Sequence, residues 1–229
     1  MFITKLADHV IAVDNKYEYI GRYYAGYLSN EMPEFTVSAT EDEIAAESKD
    51  AGNWQPAYLE TLAIYRKICE ILVNEDVILF HSSALEIDGK AVLFTAPSGI
   101  GKSTHASLWR RCFGKRVRMI NDDKPLLKID NNVTIFGTPY GGKDNLQNNI
   151  SSTAVAIVVL HQASENSITK LSAEEAFPLL LNQTYRSSTI EGMTKTLPLV
   201  DTLSHLPVYS LGCTISDEAV MLVYNTLFG

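Results

Sequence analysis

The chain has 229 residues, 46% hydrophobic and 20% charged, the make-up of a folded globular protein with room for one large domain or a domain plus a small appendage. Its formal net charge of -8 excludes a general binder of nucleic acid or of membrane surfaces, both anionic, but not one nucleotide in a locally basic pocket. Cys69, Cys112 and Cys213 are odd in number and widely spaced, which excludes a disulfide framework or a CxxC zinc site; with Lys5, Asp8 and Asp14 breaking the first apolar run and no stretch near the roughly 18 apolar residues of a bilayer span, the expectation is a cytoplasmic protein with buried thiols.

Taken in order, residues 3–28 mix β-formers with tyrosines, and Asp14-Asn15 reads as a turn between two short strands. The tyrosines (Tyr17, Tyr19, Tyr23, Tyr24, Tyr27) suit the packing of a small sheet better than a base-stacking surface. Residues 29–55 are acidic, with Glu31, Glu34, Glu41, Asp42, Glu43, Glu47 and Asp50 against a single Lys49, and read as a solvated connection. Pro56 opens a helix to about Val73, mostly buried, with Glu60, Lys67 and Glu70 as its wet stripe.

From Val77 to Phe94 the pattern is a hairpin: an apolar run, Val77–Phe80, ends at His81, and Asp88-Gly89 supplies a two-residue turn. The return strand, Lys90 to Thr95, leads into Ala96-Pro97-Ser98-Gly99-Ile100-Gly101-Lys102-Ser103-Thr104, and a helix follows to about Phe113-Gly114. Strand, glycine loop and helix in that order make a phosphate cradle. Gly99 and Gly101 allow positive φ, and the unpaired amides of the new helix, at the positive end of its dipole, face the anion. Lys102 reaches the outer phosphates and the Ser103 hydroxyl is placed for Mg²⁺. The strict motif has Gly where this chain has Ala96.

Val117–Ile120 is a further strand, ending in Asn121-Asp122-Asp123 about twenty residues after Lys102. Leu126–Ile129 and Val133–Phe136 flank Asp130-Asn131-Asn132 as a second hairpin, and residues 137–143 form a loop rich in glycine. Ala154–Leu160 is the most hydrophobic run and reads as a central strand. Ser172 and Glu175 form a capping box, Pro207–Leu211 is a last strand, and Ser216 starts a terminal helix.

Phosphoryl transfer needs the triphosphate held, its charge neutralised and an orienting or accepting group near the acceptor hydroxyl. Asp122 and Asp123 end a strand, and adjacent strand residues point to opposite sides, so the two carboxylates can divide metal binding and proton acceptance. His81 is the candidate beside them. Gly141-Gly142-Lys143, with Asn145 close by, could bring a cation to the phosphates, and Arg186 could clamp an anion; a solvated turn and a surface arginine are the plain readings. His105 and His161 read as structural.

These residues together, His81 before a Gly-turned hairpin, then Ser98–Ser103, then Asn121-Asp122-Asp123, resemble the catalytic domain of the HPr kinase/phosphorylase family, itself related to the nucleotide-binding core of phosphoenolpyruvate carboxykinase. The likeness spans roughly residues 77–140, and the chain as a whole looks like the shorter kinase-like proteins of peptide-maturation clusters. It implies an α/β fold (α+β being the variant), with a mixed sheet carrying the phosphate loop. The expected division is a small β-rich N-terminal region with its acidic connection at 1–55 and a nucleotide-binding domain at 56–229. It implies ATP and Mg²⁺ as cofactors, with Pro97 to Thr104 cradling the nucleotide and Ser103 and Asp122 serving the metal. Lys102, His81 and Asp123 would be catalytic, His81 pairing with Asp122 and Asp123 acting as base. The acceptor would be a serine of a peptide or small protein, or a small molecule; oligomerisation is left open. A carboxykinase would need a metal-ligand cluster that the sequence lacks. The alternative from another class is a catalytically inactive nucleotide-binding sensor or scaffold, with the acidic stretch as its interaction surface.

Overall fold

In the computed structural model, which describes residues 1–51 and 54–229, the first apolar runs pair as antiparallel strands β1 (Phe2–Leu6) and β2 (His9–Asp14). The turn between them is Ala7-Asp8, both left-handed (φ 49° and 69°), and not Asp14-Asn15. Two successive positive φ values match the strand twist, which is why a two-residue link suffices. The tyrosines that follow lie on helix α1 (Glu18–Tyr23) and a short 3₁₀ turn, where Tyr24 is fully buried with its ring 5.4 Å from that of Phe2.

The acidic stretch is not a solvated connection. It forms β3 (Phe35–Ser38), parallel to β2, and helix α2 (Glu41–Ala51). Its acids find partners on helix α3 (Pro56–Leu72): Lys67 Nζ donates to Glu43 at 2.8 Å, and Arg66 Nε to the buried Glu47 at 2.7 Å. The part of the expected connection at residues 52 and 53, and the Asp50 side chain, lie outside the described residues. On α3, Glu60 is buried and not part of a wet stripe; it accepts from the Lys16 and Tyr17 amides at 2.6 and 3.1 Å, at the entry to α1. These contacts draw α3 into the N-terminal unit, so the chain divides into Met1–Glu75 and Asp76–Gly229, and not before Pro56.

The second unit holds a nine-stranded mixed sheet. Its strands are β4 (Val77–Leu79), β5 (Ser83–Ile87), β6 (Lys90–Thr95), β7 (Val117–Asn121), β8 (Leu126–Ile129), β9 (Val133–Phe136), β10 (Ser151–Gln162), β11 (Ser167–Lys170) and β12 (Val208–Cys213). The hairpin is β5–β6, turned by Asp88 and Gly89 (φ 50° and 78°). Val77–Leu79 is not its first arm. It leaves to pair with β8, and His81 stands in the break before β5.

Strand β10 organises the sheet. Its first three residues pair antiparallel with β9; from Ala154, with an irregularity before Ala156, it runs parallel to β6 on one side, and from Ile157 parallel to β12 on the other. Continuing outward from β6, β5 is antiparallel and β7 antiparallel to β5, so β7, β6, β10 and β12 all point one way. Their carboxyl ends share one edge, the ligand edge of open α/β sheets.

Helices α4 (Lys102–Phe113) and α7 (Asp217–Phe228) pack on the sheet, where Trp109, Val220 and Val223 join Phe94 and Val158 in a continuous core. Helices α5 (Ala173–Leu181) and α6 (Ile190–Ser204) complete the unit; Ser172 and Glu175 make the expected capping box on α5. Among the described residues no helix is long and apolar enough to cross a membrane, and the three cysteines are unpaired.

Candidate active site

Strand β6 ends at Thr95, and the chain passes through the exposed residues Pro97, Ser98 and Gly99 to the start of α4 at Lys102. Gly99 and Gly101 have φ of 84° and 119°. A Cβ at Gly99 would meet nothing, so glycine serves the backbone angle there and not space. Gly101 is the N-cap of α4, and no side chain caps that helix, whereas Ser172, Thr189 and Ser216 cap α5, α6 and α7. The first-turn amides of α4, from Lys102 to Thr104, are thus open to an external acceptor. Ser103 and Thr104 are exposed beside them.

Lys102 folds back over the loop. Its Nζ donates to the Ala96 carbonyl at 2.8 Å, and the residue is 8% exposed. Burial pushes its pKa down, and the negative charge of Asp123 works against that shift. Ala96 explains its own departure from the motif: it is not among the residues with positive φ, and it is fully buried in the core with Phe94, Ala106 and Trp109. Behind the loop, His105 accepts from Trp109 Nε1 at 3.1 Å and is buried, which lowers its pKa from 6.5 to about 4.

Two strands away, β7 delivers the acid pair to the same edge. Asn121 is fully buried and organises the turn. Its Nδ2 donates to the carbonyl and hydroxyl oxygens of Thr138, both at 3.1 Å, and its Oδ1 accepts from the Asp123 and Lys124 amides, both at 2.8 Å. Thr138 in turn donates to the Lys124 carbonyl at 2.8 Å. At the start of β5, the Ser83 hydroxyl donates to the Asp122 carbonyl at 3.3 Å, and just before the strand the Ser82 amide donates to that of Asp123 at 3.1 Å.

The turn sends the two carboxylates to different surroundings. Asp123 Oδ1 lies 2.7 Å from His81 Nε2 and its Oδ2 3.0 Å from Lys124 Nζ. Burial alone would raise the Asp123 pKa, but the hydrogen bond with His81 and the charge of Lys124 outweigh it and hold it below the ordinary value. Asp122 is 3% exposed and accepts the Gly142 amide at 2.8 Å; desolvation raises its pKa, with that hydrogen bond opposing. The histidine therefore pairs with the second aspartate and not the first, because Asn121 turns Asp123 back toward the His81 break. His81 is fixed there by its own backbone: its amide donates to the Gln183 carbonyl at 2.7 Å, and its carbonyl accepts from Thr95 Oγ1 at 2.8 Å, which ties it to the end of the loop strand.

The glycines at 137–142 do not provide freedom; they allow close approach. A Cβ at Gly137 would meet the Asn148 carbonyl at 1.8 Å, at Gly141 the Gln147 Oε1 at 1.9 Å, and at Gly142 the Asp122 Oδ2 at 2.9 Å. Gln147 Oε1 is itself buried without a hydrogen-bond partner. Lys143 is exposed next to the Gly142 amide, and Arg186 is exposed just beyond Tyr185, whose amide donates to Leu79. The sequence reading missed Thr138, Ser83 and Gln147 and the hub role of Asn121. The only signal was an Asn at a strand end directly before two acids, a residue type that bonds to nearby backbone.

The donor set suits Mg²⁺. That ion takes hard oxygens, one or two from protein, and shares the rest of its shell with phosphates and water. An exposed Ser103 hydroxyl and an acid turn meet that description, and among the described residues no group of three or more His, Cys, Asp or Glu gathers as an all-protein metal cage.

A scan against protein-family models and a search of curated proteins return no match for the chain. Among solved structures, the HPr(Ser) kinase/phosphatase from Coxiella burnetii is similar at 15% identity over 52% of this chain and 87% of that one, with a TM-score of 0.31. That overlap is too loose to bear on activity.

Proposed function

We propose that this chain is a phosphotransferase that takes Mg-ATP and moves its γ-phosphoryl group to a serine hydroxyl of a peptide, a small protein or a free amino acid. The observation that carries the reading is the setting of Asp123: a half-shielded carboxylate 2.7 Å from His81, on the same sheet edge as an uncapped glycine loop, and near enough to Lys102 to offset part of the burial of its ammonium. In this reading the amides from Gly99 to Thr104 cradle the β- and γ-phosphates and Lys102 neutralises them. The acceptor oxygen attacks the γ-phosphorus and its proton passes to Asp123. The bond from that phosphorus to the bridging oxygen breaks, and ADP leaves with the electron pair.

His81 orients Asp123, and the lowered pKa of Asp123 keeps that carboxylate ionised through the neutral range. Ser103 would hold the metal directly and Asp122 through water, since one oxygen of Asp122 is already committed to Gly142. Bound there, Mg²⁺ would supply charge neutralisation to the phosphates. The sensor reading draws less support, because Glu43 and Glu47 of the acidic stretch are spent on Lys67 and Arg66 within their own unit.

The test is transfer from γ-labelled ATP to a panel of serine peptides and free serine. Label on an acceptor with the native chain, lost with Asp123→Asn, supports the reading. Nucleotide binding with no transfer to any acceptor favours the sensor, and unchanged transfer by Asp123→Asn overturns the base assignment.

A further inference from the structure

The edge that carries the loop is charged on one side only. Toward β5 and β7 stand Lys102, His81, Asp123 and Lys124. On the other side, where β10 and β12 end, a cleft of about 470 Å³ opens directly against the loop. One wall is the outer face of the loop and α4, with Gly101, Thr104 and Leu108; the other is Gln162, Thr214 and Ile215. No residue lining it is an acid, a lysine or an arginine, and its one histidine, His105, has its Nε2 occupied by Trp109.

Three features say what such a cleft would hold. Its volume falls in the range of small-molecule sites, roughly 300–1,000 Å³. Ile215 is 81% exposed on the rim, a large apolar side chain left in water where a ligand face would cover it. The Thr214 amide and hydroxyl are both engaged by Asn166, at 2.8 and 3.1 Å, while the exposed Gln162 reaches the loop only through a long 3.5 Å contact with the Ile100 carbonyl. The side-chain polar groups left to greet a ligand are therefore the Gln162 amide and the exposed Thr104 hydroxyl, each able to present either a donor or an acceptor.

We infer that this cleft takes the uncharged heteroaromatic base of the nucleotide, so that the nucleotide lies across the loop with its base over the ends of β10 and β12 and its outer phosphate toward Asp123. The inference rests on the phosphate-loop reading above and adds its direction and its selectivity. An amide and a hydroxyl that can each reverse donor and acceptor cannot enforce one purine over another, so ATP and GTP bind within about tenfold of each other, while a ligand with no base loses the cleft altogether.

Calorimetry with Mg-ATP, Mg-GTP and Mg-tripolyphosphate separates the possibilities, on the native chain and on the Ile215→Asp and Gln162→Ala variants, both changes at exposed positions. Expected are ATP and GTP at least about tenfold tighter than tripolyphosphate, and a loss of about tenfold in ATP affinity for Ile215→Asp with tripolyphosphate unchanged. Tripolyphosphate binding as tightly as ATP overturns the base assignment while leaving the loop reading intact, as does an Ile215→Asp variant that weakens both ligands equally with an unshifted unfolding midpoint. Failure of all three ligands to bind the native chain overturns the loop reading and the inference with it.

Discussion

The acid turn and the glycine loop stand on one sheet edge and are built in opposite ways. The Asn121 side chain has all its polar groups assigned, with two donations and two acceptances, closed by Thr138 and with the acid carbonyls fastened by Ser82 and Ser83 at the start of β5. Around Gly99 and Gly101 the amides of a helix start are left without a cap. The first region is bonded within itself, and under the proposed function the second would be completed by a ligand. The division suits a transfer site, where the proton acceptor must be positioned to a fraction of an ångström while the phosphate cradle draws its order from the phosphate.

That contrast can be broken in steps. The largest effect is expected from Asp123→Asn, which removes the acceptor but keeps the shape of the turn: transfer falls by about 10²- to 10⁴-fold while Mg-ATP affinity, by calorimetry, stays within a few-fold. Lys102→Met acts on the other region; losing a charge-assisted contact to phosphate weakens nucleotide binding by about 10- to 100-fold, read as Kd. Asn121→Ala leaves buried amides and carbonyls unpaired and destabilises the second unit by about 2–3 kcal/mol, so its thermal midpoint drops by roughly 5–10 °C and transfer falls with it.

A smaller effect follows from His105, whose pKa is lowered from 6.5 to about 4 by burial. Between those values the unfolded chain binds a proton that the folded one refuses. Stability therefore declines as pH is lowered from 6.5 toward 4, and urea midpoints across that range for native and His105→Gln chains should diverge, the variant being flatter. Asp123, held below its ordinary 3.8, loses its contribution only at lower pH still. The smallest effect is expected for Ala96→Gly, which restores the strict motif. Since Ala96 needs no positive φ and its methyl is buried, the change costs about 1 kcal/mol in stability and leaves nucleotide affinity within about threefold.

Much of the second unit was legible because its signals are local. Lys90–Thr95, the helix from Lys102, and the pair of strands around Asp130-Asn131-Asn132 fell where apolar runs and turn residues put them. Helix α6 was not, because Gly192 and Pro198 interrupt its pattern, and neither was α2, whose acids look solvated until Arg66 and Lys67 arrive from another helix. The strand, glycine loop and helix, and the two acids at the end of β7, lie where the sequence put them; which acid meets His81 was not legible. A period of two says that neighbouring residues diverge, but only the bonds of Asn121 to the Asp123 and Lys124 amides decide which one turns inward.

The hydrogen bond from Lys102 Nζ to the Ala96 carbonyl restrains a long, flexible side chain. A free lysine side chain samples many rotamers, and fixing it costs up to about 2 kcal/mol in entropy. Here that cost is incurred when the chain folds. An ammonium has three protons, so one can stay on Ala96 while the other two turn to an arriving anion. If the loop takes an anion as proposed, its affinity would be set in part before the ligand is met, by a lysine already held against the backbone of the loop.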